Sequence, residues 1–227
     1  MAERGLNRTP RGIVFDLDGT LIDSRRDIVE AANHALAAHG FATLPAAEIE
    51  SYVGDGAPLL VSRAARIDED DARVELLLAA FLEYYTAHPI DHTTIMPGAL
   101  AALRALGAHA LAVCTNKPRV TTVRVLEGLG LARYFRAVVA GDDLPQRKPD
   151  PAPILHIARE LGLAATELVV VGDGAQDVLA GRAARARTVG VEGGIQPVER
   201  LIAAQPDALL QSLDALPGVI AGWSGKL

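Results

Sequence analysis

The chain has 227 residues, half of them hydrophobic and 22% charged, with a single cysteine. That is the composition of a globular protein; it excludes a disordered chain, a disulfide scaffold and a cysteine-rich zinc module. A formal net charge of −6 argues against broad nucleic-acid binding, which needs a basic face.

Gly12 to Asp16 (GIVFD) is a short apolar run ending in an acid, the pattern of a buried parallel strand. Helical periodicity follows from Arg25 to Gly40, over Pro45 to Tyr52, over Leu59 to Ala65 and over Asp71 to Tyr85. No strand is expected in this stretch. It is also acidic: residues 22–94 hold 13 Asp and Glu against 5 Arg and no lysine, whereas the rest of the chain is close to neutral. The expected organisation is therefore an α/β core from residues 1–21 and 95–227, with a small helical domain inserted at 22–94.

After a helix over Pro97 to Leu106, strands and helices alternate. Strands are expected at Ala110 to Thr115, Ala137 to Ala140, Leu168 to Val171, Thr188 to Val191 and Ala208 to Leu210. The helices between them are expected at Arg119 to Leu129, Pro151 to Leu161, Asp177 to Ala184 and Val198 to Ala204. Alternation of this kind gives right-handed βαβ units and a doubly wound, Rossmann-like parallel sheet. Ligands of such sheets bind beyond the carboxyl ends of the strands.

The residues at those ends share a chemistry. The first strand ends in Asp16, with Asp18 two residues on, and the second in Thr115 and Asn116. Lys148 follows the third strand, Asp173 ends the fourth, and Asp177 lies four residues later. Clustered carboxylate oxygens suit a hard cation such as Mg2+. Asp16 is placed to ligate metal or to attack an electrophile, and Asp18 to act as general acid and base. Thr115, backbone N–H groups and the Lys148 ammonium are placed to cradle a phosphoryl group. A small phosphorylated metabolite is the expected partner.

Four motifs carry a resemblance. DLDGT (Asp16 to Thr20), TN (Thr115, Asn116), KP (Lys148, Pro149) and GDxxxD (Gly172, Asp173, Asp177) stand in the order found in the haloacid dehalogenase-like superfamily. YVGDGA (Tyr52 to Ala57), CTNKP (Cys114 to Pro118) and GDDLPQRKPDPAPI (Gly141 to Ile154) resemble signatures of its phosphoglycolate phosphatase family. The resemblance implies an Asp16 nucleophile, an Asp18 acid/base that also ligates metal, phosphate binding by Thr115, Asn116 and Lys148, and Mg2+ held by Asp16, Asp18, Asp173 and Asp177. The helical insert resembles the superfamily's small cap. There Gly54, Gly56 and Arg63 are the candidate substrate contacts, Arg63 through a two-pronged bond to a substrate carboxylate.

Two positions depart from the family pattern: Gly174, where Ser or Thr is common, and the loop Glu192-Gly193-Gly194. The resemblance implies hydrolysis of a phosphomonoester, with 2-phosphoglycolate preferred. A sugar phosphate or another small phosphorylated metabolite remains an alternative substrate, and a non-catalytic binding protein on the same scaffold an alternative of another class. Phosphonate hydrolysis through a Schiff base needs a lysine that residues 22–94 lack. The six histidines show no paired metal spacing, and Cys114, inside a strand, reads as a small buried hydrophobe. No run of about 18 apolar residues occurs, and the polar start, Met1 to Gly12, has no apolar leader core, so a cytoplasmic location away from membranes is expected.

Overall fold

The computed structural model describes residues 9–224, so most of the polar start lies outside the described residues. The chain begins with β1 (Gly12–Phe15) and β2 (Ile22–Asp23). The helical insert follows: α1 (Arg25–Ala38), α2 (Ala46–Glu50), α3 (Ala57–Ala65) and α4 (Arg73–Ala87). The chain continues through β3 (Thr94–Ile95), α5 (Ala99–Ala105), β4 (Ala110–Cys114), α6 (Arg119–Gly128), β5 (Ala137–Val139) and α7 (Ala152–Glu160). It ends with β6 (Leu168–Gly172), α8 (Ala175–Ala183), β7 (Arg187–Val191), α9 (Val198–Ala203), β8 (Ala208–Leu210) and α10 (Leu216–Ser224).

Six strands make one sheet in the order β5-β4-β1-β6-β7-β8, each pair parallel. This is the expected doubly wound α/β core. β1 is central, with Phe15 paired to Val113 on one side and Val171 on the other. Its side chains alternate between two apolar layers, as the pleat requires. Ile13 and Phe15 join the layer that holds Leu103, Val125 and Leu216; Val14 joins the layer of Ile154, Ile157 and Ala180. With both faces covered, the strands are buried along their length, which explains their uninterrupted apolar runs.

The insert has an apolar cluster of its own, including Ile28, Leu36, Leu60, Leu77 and Phe81, with Ile195 from the β7–α9 loop packed against it. Two features were not expected. Within the stretch read as strand-free, β2 pairs antiparallel with β3, matching Ile22 to Ile95 and Asp23 to Thr94. Two residues per strand are too few to show a period. This ribbon joins the two crossings between insert and sheet. Beside it, buried Asp27 of α1 accepts the Thr93 N–H at 2.8 Å, the Thr93 hydroxyl at 2.6 Å and the His92 N–H at 3.0 Å. The other feature is α10, which Pro217 and the two glycines of LPGVIAGWS disguise as a tail. Leu216 and Ile220 are buried one turn apart, and the Arg187 guanidinium lies 4.9 Å from the Trp223 ring centre. Among the described residues, no helix is long and apolar enough to cross a membrane.

Candidate active site

The central strand delivers Asp16 to the carboxyl edge of the sheet. Its N–H donates to Val171 O at 2.8 Å, so the residue is held between β4 and β6, and it is 6% exposed. Lys148, beyond β5, reaches the same point. Its ammonium donates to Asp16 Oδ1 at 2.7 Å, Asp177 Oδ1 at 2.5 Å and Cys114 O at 2.6 Å. Three protons thus find three acceptors, and the lysine's direction is set. Asp150 helps to fix the segment, its Oδ1 accepting from the Ala152 N–H at 2.8 Å at the start of α7.

Asp173 is held from two loops. Thr20 Oγ1 donates to its Oδ1 at 3.2 Å, and the N–H groups of Ile195 and Gln196 donate to its Oδ2 at 2.7 and 3.1 Å. Close approach is what makes Gly19 and Gly194 necessary: a Cβ on either would collide with the Asp173 carboxylate, and Gly19 also has a φ of 87°. The loop around Gly194, read from sequence only as a departure, therefore positions an acid. Asp177 Oδ2 accepts from the Gly174 N–H at 3.1 Å, so this residue caps α8 while its other oxygen holds Lys148. The cap explains why α8 starts at Ala175, two residues before the expected Asp177.

The oxygens of Asp16, Asp173 and Asp177 lie within 4.8 Å of one another, and all three residues are buried. Burial raises the pKa of each. For Asp16, Lys148 opposes that rise and Asp177 adds to it, leaving the group at about 7. For Asp173, the Asp16 charge adds to burial and the two backbone N–H bonds oppose it, leaving about 6. For Asp177, burial raises the value against the pull of Lys148. Three carboxylates and one ammonium leave an excess of negative charge in a buried site. Such an all-oxygen donor set fits a hard divalent cation, Mg2+ among them.

Asp18 faces the neighbouring space. Ser24 Oγ donates to its Oδ1 at 2.5 Å, and the Lys117 ammonium donates to Oδ1 and Oδ2 at 3.0 and 3.2 Å. Lys117 also donates to the Tyr85 hydroxyl at 2.5 Å and lies 4.3 Å from the centre of that ring. Burial works to lower the Lys117 pKa, but the Asp18 charge and Tyr85 raise it above the ordinary lysine value. Lys117 had no assigned role in the sequence; its signal was rarity, as one of three lysines and part of CTNKP.

Thr115 is buried with its hydroxyl accepting the Lys117 N–H at 3.1 Å. Asn116 was expected on phosphate, but its side chain is committed to backbone. Its Nδ2 donates to Gly54 O and Lys148 O, both at 2.9 Å, and its Oδ1 accepts the Lys148 N–H at 3.1 Å. It fastens the lysine loop to the insert. Arg147 bonds Asp55 O at 3.3 Å, and Gln196 bonds Val53 O. Gly54 and Gly56, with φ of 117° and 98°, turn the insert loop over the site.

A cavity opens there, enclosing about 460 Å³ with its mouth. Asp16, Asp18, Thr115, Asn116 and Lys117 line one side; Gly54, Gly56, Ile28, Leu60, Phe81 and Tyr85 line the other. Arg63, expected to reach into it, does not line it. The Arg63 guanidinium pairs with Asp55 at 2.6 Å on the surface, with its side chain 41% exposed. The Asp55 carboxylate, eight positions earlier on the exposed loop, holds the guanidinium outside the cavity.

The family model for haloacid dehalogenase-like hydrolases matches residues 13–191. Phosphoglycolate phosphatase of Rhodospirillum rubrum is 44% identical over 184 residues, 77% of this chain and 76% of the relative. Phosphoglycolate phosphatase of Neisseria meningitidis serogroup A is 40% identical over 213 residues, 89% of this chain and 90% of the relative. The crystal structure of a predicted phosphoglycolate phosphatase from Haemophilus somnus superposes with a TM-score of 0.84 over 96% of this chain and 99% of that one; at 24% identity it shows a shared fold. By the matched family and the length of these alignments, this chain belongs to the haloacid dehalogenase-like hydrolases and is an enzyme of the phosphatase kind.

Proposed function

We propose that the protein is a Mg2+-dependent phosphomonoesterase acting on 2-phosphoglycolate through an aspartyl-phosphate on Asp16, with residues 22–94 as its cap. One observation carries this reading above the others: the Asp16 carboxylate, at the end of the central strand, is bonded to Lys148 beside two further buried acids. The relatives' names and YVGDGA, CTNKP and KPDPAP in this chain support the choice of substrate.

In this mechanism an Asp16 oxygen attacks phosphorus and the bond to the leaving oxygen breaks. Asp18, held by Ser24 and Lys117, gives that oxygen a proton. Water then attacks phosphorus of the acyl phosphate while Asp18 takes its proton back, releasing phosphate and restoring Asp16. Lys148 and the Thr115 hydroxyl hold phosphoryl oxygens; Asn116 fixes the lysine loop. Asp16, Asp173 and Asp177, with the Asp18 carbonyl, would hold Mg2+, and the ion would supply neutralisation of phosphoryl charge. The cap loop at Gly54 to Gly56 excludes water from the acyl phosphate until the leaving group departs.

The test is phosphate release from a panel of phosphorylated metabolites, with Mg2+ and with chelator. Preference for 2-phosphoglycolate that disappears in chelator is the expected result. Preference for a sugar phosphate would overturn the substrate, and equal activity after exhaustive metal removal would overturn the metal requirement.

A further inference from the structure

We propose that Lys117 and Tyr85 together bind an anionic group on the leaving portion of the substrate, so that the site selects a short phosphomonoester carrying a second negative charge. The proposal rests on the phosphatase mechanism above, because the position of Asp18 defines which end of the cavity receives the leaving group.

If Asp18 hands a proton to the leaving oxygen, whatever that oxygen carries begins beside Asp18. The nearest cation there is Lys117, whose ammonium sits 3.0 Å from Asp18 Oδ1. Among the described residues that line the cavity, Lys117 is the one with a positive charge. Lys148, the other buried lysine, stands at the Asp16 end of the site, bonded to Asp16, Asp177 and Cys114, and not beside Asp18. Lys117 reaches the two Asp18 oxygens at 3.0 and 3.2 Å, which one bifurcated N–H can span, and the Tyr85 hydroxyl takes a second proton, so the third is left for the substrate.

Tyr85 supplies the second donor. Its hydroxyl accepts from Lys117, and no acceptor for its own proton is found among the described residues. Burial pushes this phenol up to about 12, so the proton is retained. Ile28, Val53, Leu60 and Phe81 form the rest of the wall. In such an apolar setting, two converging donors discriminate strongly between a carboxylate and a neutral group, since charge-assisted hydrogen bonds strengthen as water is excluded. Tyr85 belongs to α4 of the insert and Lys117 to the loop after β4. The pair exists only while insert and sheet are together, so recognition of the anion and closure of the site become one event. The Arg63 guanidinium, tied to Asp55 outside the cavity, does not supply this contact.

The experiment compares kcat/KM for 2-phosphoglycolate and for ethyl phosphate, which has the same two-carbon skeleton without the carboxylate. Wild type is expected to favour 2-phosphoglycolate. Lys117→Met, which keeps length and apolar stem, should lower the ratio of the two values by at least about thirtyfold, roughly 2 kcal/mol at 1.4 kcal/mol per tenfold. Tyr85→Phe should lower the ratio at least about threefold. A wild type that hydrolyses neither compound, while releasing phosphate from another phosphomonoester, would overturn the substrate reading on which the inference rests. A wild type that hydrolyses both equally well would overturn the inference alone. Equal losses on both substrates in Lys117→Met would do the same, by showing that the lysine serves Asp18 only. Where Lys117→Met does not fold, as judged by circular dichroism, Tyr85→Phe decides, and an unchanged ratio overturns the proposal.

Discussion

Lys148 donates to Asp16 Oδ1 at 2.7 Å across 132 positions of sequence, in a site where both side chains are less than a tenth exposed. The same ammonium bridges to Asp177 Oδ1 at 2.5 Å. Removing it would leave the buried carboxylates facing one another without a protein cation. Lys148→Met is expected to lose at least about a hundredfold in kcat. Without Mg2+ at neutral pH it should also be destabilised by about 3 kcal/mol, the scale of breaking a buried pair from one side. Urea unfolding with and without Mg2+ measures the second effect; an unchanged midpoint would contradict it.

Asp16→Asn keeps the shape of the side chain but removes the nucleophilic carboxylate. Turnover of any phosphomonoester should fall beyond detection while the circular dichroism spectrum is retained. Residual activity within about tenfold of wild type, less than about 1.4 kcal/mol in barrier, would exclude Asp16 as the group that takes the phosphoryl.

The raised acids predict how metal binding depends on pH. Without metal, Asp16 titrates near 7 and Asp173 near 6, against 3.8 for the unfolded chain. The folded state therefore binds these protons more tightly, and their contribution to stability declines as pH rises from about 4 to about 7. Mg2+ competes with the same protons, so its stabilisation should be small at pH 5 and full at pH 8. At a concentration of one hundred times Kd, mass action predicts about 2.7 kcal/mol at the higher pH. Thermal melts with and without Mg2+ at both values check this; an equal shift at pH 5 and pH 8 would refute the cluster as the binding site.

Asn116 binds Gly54 O, Lys148 O and the Lys148 N–H, and so joins the insert loop to the lysine loop. Asn116→Ala strands these backbone groups, and a destabilisation of about 1–3 kcal/mol is expected. The kcat/KM for every phosphomonoester should fall together, because the displaced element is Lys148. Loss confined to one substrate would instead make Asn116 a specificity contact.

Arg63 gives the contrasting expectation. Its pairing with Asp55 is largely solvated, and exposed pairs contribute about 0–1 kcal/mol. Arg63→Ala should change kcat/KM for 2-phosphoglycolate by less than about threefold. A selective loss of tenfold or more would mean that the guanidinium leaves Asp55 and enters the cavity during turnover.

The linear chain determined which elements form and where the reactive groups stand along them. The parallel sheet, the helices between β2 and β3, the strand-end positions of Asp16, Thr115 and Asp173 and the loop position of Lys148 were all legible, because strand burial and helix amphipathicity repeat over a few residues and turn signals mark the ends. α10 escaped since its Leu216 and Ile220 stripe was masked by proline and glycine, and β2 and β3 were too short to carry a period. The choice of partners was decided only in three dimensions. The N–H groups of Ile195 and Gln196 on Asp173, Tyr85 beside Lys117, and Asn116 turned onto backbone all join segments far apart in sequence. Arg63 shows the reason most simply: a long charged side chain takes the nearest opposite charge that the folded surface offers. Helical periodicity can put Arg63 near the insert loop, but it cannot tell that Asp55 reaches the guanidinium first.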